Sequence, residues 1–148
     1  MQFTCAVDID LPRATVINYF KNPDNMQYWQ DGFISYKQLG GNAGTEGAQS
    51  LVTYDIRGKK MQLTETVLTS KLPAEFHGLY EGDFGKNTMS NYFVELGPKL
   101  TRWRAEIEYL ETKGFIMKMM SLFFSGIFKK QTQKWMNQFK SFTEKAPA

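Results

Sequence analysis

The chain has 148 residues, of which 42% are apolar and 22% charged, the size and balance of one globular domain with a core of its own. One cysteine, Cys5, and one histidine, His77, exclude an internal disulfide and an ordinary zinc site, and a lone cysteine fits a reducing cytoplasm. The net charge of +3 is too small to indicate nucleic acid, but it is uneven: residues 113–148 carry +6 and residues 1–112 carry −3.

In chain order, QFTCAVDID alternates Phe3, Cys5, Val7 and Ile9 against polar neighbours, which predicts a half-buried strand with Cys5 as a small buried hydrophobe. The segment lacks the basic and apolar regions of a secretory leader, so none is expected. Asp10, two residues before Pro12, reads as the N-cap of a helix, PRATVINYFK, that ends at Asn22-Pro23. DNMQYW predicts a second short helix carrying Trp29, and FISYKQL a strand. GGNAGTEGAQ is a glycine-rich loop between strands; with no Gly-Lys-Ser/Thr after it, it is not a phosphate loop.

From Gln49 to Glu111 the pattern is a meander of strands. A turn at Gly58-Lys59 would set Ile56 against Met61, Tyr54 against Leu63, Val52 against Glu65 and Ser50 against Val67, all on one face. After a turn at Pro73, EFHGLYEG and NTMSNYFVEL follow; Tyr80 falls with Phe76 and Gly78, and His77 is expected at the surface. TRWRAEIEYLE then alternates Trp103, Ala105, Ile107 and Tyr109 with charged residues, and pairing across Gly97–Leu100 would place Tyr92 on the same inner face. From Gly114 to about Lys145 the chain is expected to be helical. Its first part, GFIMKMMSLFFSGIF, is more apolar than one buried stripe needs, and no run reaches the roughly 18 apolar residues of a spanning helix.

LPRATV, NPDNMQYW, GNAGTEG, ETV before Pro73, and KGF leading to FKKQTQKWMNQFKSF together resemble the SRPBCC superfamily, which includes START lipid-transfer domains, the birch-pollen-allergen group and polyketide cyclase/dehydrase-like proteins. The resemblance spans roughly residues 2–145 and is nearest to small bacterial cyclase-like members. It implies one domain over residues 1–148 with an α+β helix-grip fold, in which a curved antiparallel sheet of about seven strands (β-α-α-β6-α) wraps a long C-terminal helix. It also implies a cavity between sheet and helix for a hydrophobic or amphipathic, lipid- or polyketide-like molecule.

The inner-face pattern makes Val52, Tyr54, Leu63, Glu65, Val67, Tyr80, Tyr92, Trp103, Ile107 and Tyr109 the candidate ligand-binding residues, joined by Met119, Met120 and Phe123 from the last helix. Glu65 is the one candidate for chemistry: an inner-face carboxyl must be protonated, hydrogen-bonded or wet, and it suits a structural hydrogen bond, a ligand hydroxyl or proton transfer. No cofactor or metal motif is present. Three functions stay open. The first is binding or transport of a small molecule, with the Met/Phe-rich segment as a gate. The second is a cyclase or dehydratase using Glu65 and a Tyr. The third is transient membrane or protein contact through the Lys-rich helix.

Overall fold

The computed structural model describes residues 1–112, 114 and 125–146. Its elements are β1 (Gln2–Ile9), α1 (Arg13–Phe20), a 3-10 turn (Pro23–Asn25), α2 (Met26–Trp29), β2 (Phe33–Gly40), β3 (Gln49–Ile56), β4 (Lys59–Lys71), β5 (Glu75–Gly82), β6 (Gly85–Gly97), β7 (Leu100–Thr112) and a long helix, α3 (Ser125–Lys145). The seven strands form one antiparallel sheet in the order β1-β7-β6-β5-β4-β3-β2. This is the α+β helix-grip architecture expected from the order of elements.

Three local expectations need correction. Asp10 does not cap α1; Pro12 holds that position with no side-chain cap, and the Asp10 N–H instead donates to Glu144 Oε2 at 2.8 Å. The β3–β4 turn is Arg57-Gly58, not Gly58-Lys59: both residues have positive φ (55° and 81°), the backbone of a primed two-residue turn, and Asp55 Oδ1 accepts from the Gly58 N–H at 2.9 Å. Pairing therefore shifts by two, so that Val52 meets Leu63 and Ser50 meets Glu65, but an even shift leaves every side chain on its expected face. At the β6–β7 hairpin the pairing slips by one between Glu95 and Gly97, an odd shift that inverts the faces of β6. Asn91 and Phe93 then stand inside opposite Ala105 and Trp103, and Tyr92 stands outside opposite Arg104.

α3 lies beside β1 and runs parallel to it, tied by Gln133 Nε2 to the Ala6 carbonyl (2.9 Å) and by Lys140 Nζ to the Asp8 carbonyl (2.7 Å). Its buried positions Met136 and Phe139 pack on Trp29, Phe93 and Trp103 to form the main core. Phe142 turns to the small helices and meets the rings of Tyr19 (5.7 Å) and Tyr28 (5.2 Å). Cys5 is buried in this core, and burial pushes its thiol up, against a smaller opposing effect of Lys129.

Candidate functional site

The strand pairings line up one row of side chains across the concave face. Gln38 (β2) stands opposite Ser50 (β3), Ser50 opposite Glu65 (β4), Glu65 opposite Tyr80 (β5), Tyr80 opposite Asn87 (β6), and Asn87 opposite Tyr109 (β7). All six can hydrogen-bond, and the rows on either side are mainly apolar or glycine: Val52, Leu63 and Gly82 on one, Val67, Gly78, Met89 and Ile107 on the other. All six but Ser50 are partly exposed, unlike the sealed residues under the C-terminal part of α3.

At the centre, Tyr80 donates its hydroxyl to Glu65 Oε2 at 2.7 Å, and Ser50 Oγ approaches Oε1 at 3.5 Å. Burial raises the Glu65 carboxyl above the ordinary glutamate range, while the bonds from Tyr80 and Ser50 pull it back. Tyr80 is pushed far upward, first by burial and then by the neighbouring Glu65 charge, so it stays a phenol and a donor. Its ring leans back over Gly78: a Cβ there would lie 2.9 Å from the Tyr80 hydroxyl oxygen and 3.0 Å from its ring, so the glycine makes room for this pose. Tyr109 is pushed up to about 12 by burial. Neither its hydroxyl nor the Asn87 amide has a hydrogen-bond partner among the described residues.

The candidates from sequence sort into groups. Val52, Leu63, Glu65, Val67 and Tyr80 form one continuous patch on β3, β4 and β5, and Tyr109 joins it through the polar row. Tyr54 is on the same face, but it is engaged: its hydroxyl donates to Gln30 Oε1 at 2.7 Å and its ring stacks on Trp135 at 5.3 Å. Trp103 and Ile107 belong to the solid core; Trp103 is 0% exposed, edge-on to Phe139 at 5.1 Å, with its indole N–H donated to Asn91 Oδ1 at 2.8 Å. Tyr92 lies on the outer face, under the Arg104 guanidinium at 4.7 Å and beside His77 at 5.1 Å. Met119, Met120 and Phe123, with most of the Met/Phe-rich segment expected to act as a gate (residues 115–124), lie outside the described residues.

Sequence reading missed Gln38 and Asn87, whose inward facing depends on bulges in β2 and β6 that no residue pattern marks. It also missed two groups on α3. Gln131 Nε2 and Trp135 Nε1, one turn apart, are buried with no partner among the described residues. Their i,i+4 spacing was the available signal. Among the described residues no cluster of His, Cys, Asp or Glu could hold a metal ion, and no helix is long and apolar enough to cross a membrane.

No family model and no curated protein matches the chain. Solved structures do. TTHA0849 from Thermus thermophilus superposes with a TM-score of 0.82 at 14% identity over 100% of both chains. Ara h 8.0201 gives 0.75 at 13% identity over 99% of both chains. The Zhui aromatase/cyclase from Streptomyces sp. R1128 gives 0.80 at 9% identity, covering 97% of this chain and 93% of that one. At these identities the likeness establishes the fold alone, a helix-grip fold along the whole chain.

Proposed function

We propose that the protein binds a hydrophobic or amphipathic small molecule on the concave face of its sheet, with the Glu65–Tyr80 pair as the polar anchor. The observation that carries this reading is the partly exposed polar row set between apolar rows. A folded protein satisfies or solvates its interior polar groups, and a row with spare hydrogen-bonding capacity on an apolar floor is what an amphipathic ligand requires. The helix-grip fold supports the same reading, since it brings a curved sheet under one long helix. Of the five lysines of α3, two are held within the protein, Lys134 by Asp31 at 2.9 Å and Lys140 by Glu144 at 2.7 Å, which lowers the charge this helix can offer a membrane.

The test is a titration with Nile red, an uncharged dye whose emission shifts in apolar surroundings. Saturable, blue-shifted binding is expected. Leu63→Arg should abolish it, and Tyr80→Phe, which takes from Glu65 its short hydrogen bond and leaves a bare carboxylate beside the apolar dye, should weaken it about fivefold. Non-saturable binding, or binding indifferent to Leu63→Arg, would defeat the reading.

A cyclase or dehydratase is the second reading. Its supporting observation is a carboxyl with a raised proton affinity 2.7 Å from a phenol on the concave face. It ranks below binding because burial beside Glu65 makes Tyr80 a weaker acid, the wrong direction for a phenol that must release its proton near neutral pH.

A further inference from the structure

Resting on the binding reading above, we infer that the ligand is an uncharged or cationic amphiphile that donates a hydroxyl or amine hydrogen bond to Glu65, and that carboxylate lipids are selected against. Glu65 is the only carboxyl in the polar row, which holds no amine or guanidinium, and it is placed at the row's middle. Its Oε2 receives the Tyr80 hydroxyl at 2.7 Å, whereas Oε1 is reached only by Ser50 at the outer limit of 3.5 Å. A carboxylate oxygen takes two donors, so Oε1 has room for one more, and a ligand O–H or N–H fits that place.

All but one of the strand cations face away from this site. Lys37, Lys60, Lys86, Arg102 and Arg104 all fall on the outer side by their pairings, where Arg102 grips Asp8 (2.8 Å) and Lys86 meets Glu81 (3.6 Å). The exception is Lys59, which falls on the inner side by its pairing with Ile56, but it is exposed at the tip of the β3–β4 hairpin, six residues along β4 from Glu65. Among the described residues the row therefore offers an anionic ligand no positive charge to pair with. A second carboxylate placed there would have to share the space with Glu65, and one of the two would have to take up a proton.

The remaining free groups suit neutral oxygens. The Asn87 amide and Tyr109 hydroxyl sit two and three strands beyond Glu65, at roughly 10 and 14 Å by the strand spacing. Gln131 Nε2 and Trp135 Nε1 supply donors from the helix side, with the Trp135 ring stacked on Tyr54. A molecule with a hydroxyl at one end and a carbonyl or second hydroxyl further along would use both sets. Hydroxylated polycyclic aromatics and long-chain alcohols or amines are of this class.

The experiment displaces bound Nile red with decanol, decylamine and decanoate, three probes of one chain length, at pH 8. Decanol and decylamine should displace it at concentrations at least about tenfold below decanoate, and Glu65→Gln, which keeps the size and removes the charge, should bring decanoate to within about threefold of decanol. Decanoate binding to the native protein as tightly as decanol would overturn the inference and leave the binding reading standing. Because the ranking on the native chain decides, the result does not depend on the variant folding. Absence of saturable Nile red binding would remove the binding reading, and the inference with it.

Discussion

Two halves of one interior can be compared, since strands β4 to β7 run through both. In the half beneath α1, α2 and the end of α3, Phe20 has the rings of Phe93 (4.9 Å), Trp103 (5.4 Å), Phe76 (5.8 Å) and Phe139 (6.4 Å) around it. The polar group there, Asn91, is matched at both ends: its Nδ2 donates to the Phe76 carbonyl at 3.1 Å and its Oδ1 accepts from Trp103 at 2.8 Å. Two inward positions earlier on the same strand, Asn87 has no partner among the described residues. The same residue type on the same face is a structural clamp in one half and spare capacity in the other. What separates them is the supply of partners, so a change in the sealed half should act on stability and a change in the row on binding.

The largest effect tests the sealed half. Trp103→Ala removes a fully buried indole and should cost about 3–5 kcal/mol in denaturant unfolding. Next comes the asparagine pair. Asn91→Ala strands a buried indole N–H and a carbonyl and should cost about 1–3 kcal/mol, while Asn87→Ala should stay within about 0.5 kcal/mol. Equal costs for the two would erase the distinction between the halves.

The pH dependence of Glu65 sharpens the comparison further. Its folded-state proton affinity is raised, so its contribution to stability is full below the unfolded glutamate value of about 4.3 and is lost as pH rises through the folded value. Glu65→Gln does not titrate. The melting temperature of this variant relative to the native chain should therefore climb as pH rises from 4 toward 8. A flat difference would mean that Glu65 is no more buried than a surface carboxylate.

The sequence made most of the architecture legible because alternation is a local signal. The Trp103–Tyr109 face, the Phe3–Ile9 face and the inward Glu65 follow from period two, and the β3–β4 faces survived a wrong turn because the error was an even shift. Tyr92 was lost to an odd one. A bulge between Glu95 and Gly97 adds one residue at the far end of β6, and every side chain before it changes face. The polar row was illegible for a related reason: it runs across six strands, so it exists only in the register between them. Glu65 could be found alone; Gln38, Asn87 and its tie to Tyr80 could not. Trp103 and Ile107 shared the correct face with Glu65 but stood in the half that Phe20, Trp29 and Phe139 fill.

A smaller effect is expected from Gly78→Ala. The new methyl would press on the Tyr80 hydroxyl and ring, atoms at the free end of a side chain that can swing, so stability should change by less than about 1 kcal/mol. Binding should still fall, about as far as for Tyr80→Phe, because the displaced phenol no longer reaches Glu65. Thermal melting and Nile red titration on one sample separate the two effects.

The smallest expected effect falls on Tyr92. Its ring is on the outer face with Arg104 above it and His77 at its edge. Tyr92→Ser gives up the cation–π contact, worth about 0.5–1 kcal/mol at an exposed site, and touches nothing on the concave side. Nile red affinity should be unchanged. A tyrosine one residue from Asn91 that leaves binding intact, set against Tyr80→Phe that weakens it, would establish that function here follows strand register and not the presence of aromatic hydroxyls. A loss of affinity in Tyr92→Ser would instead place the ligand, or the β6–β7 bulge, differently from this structure.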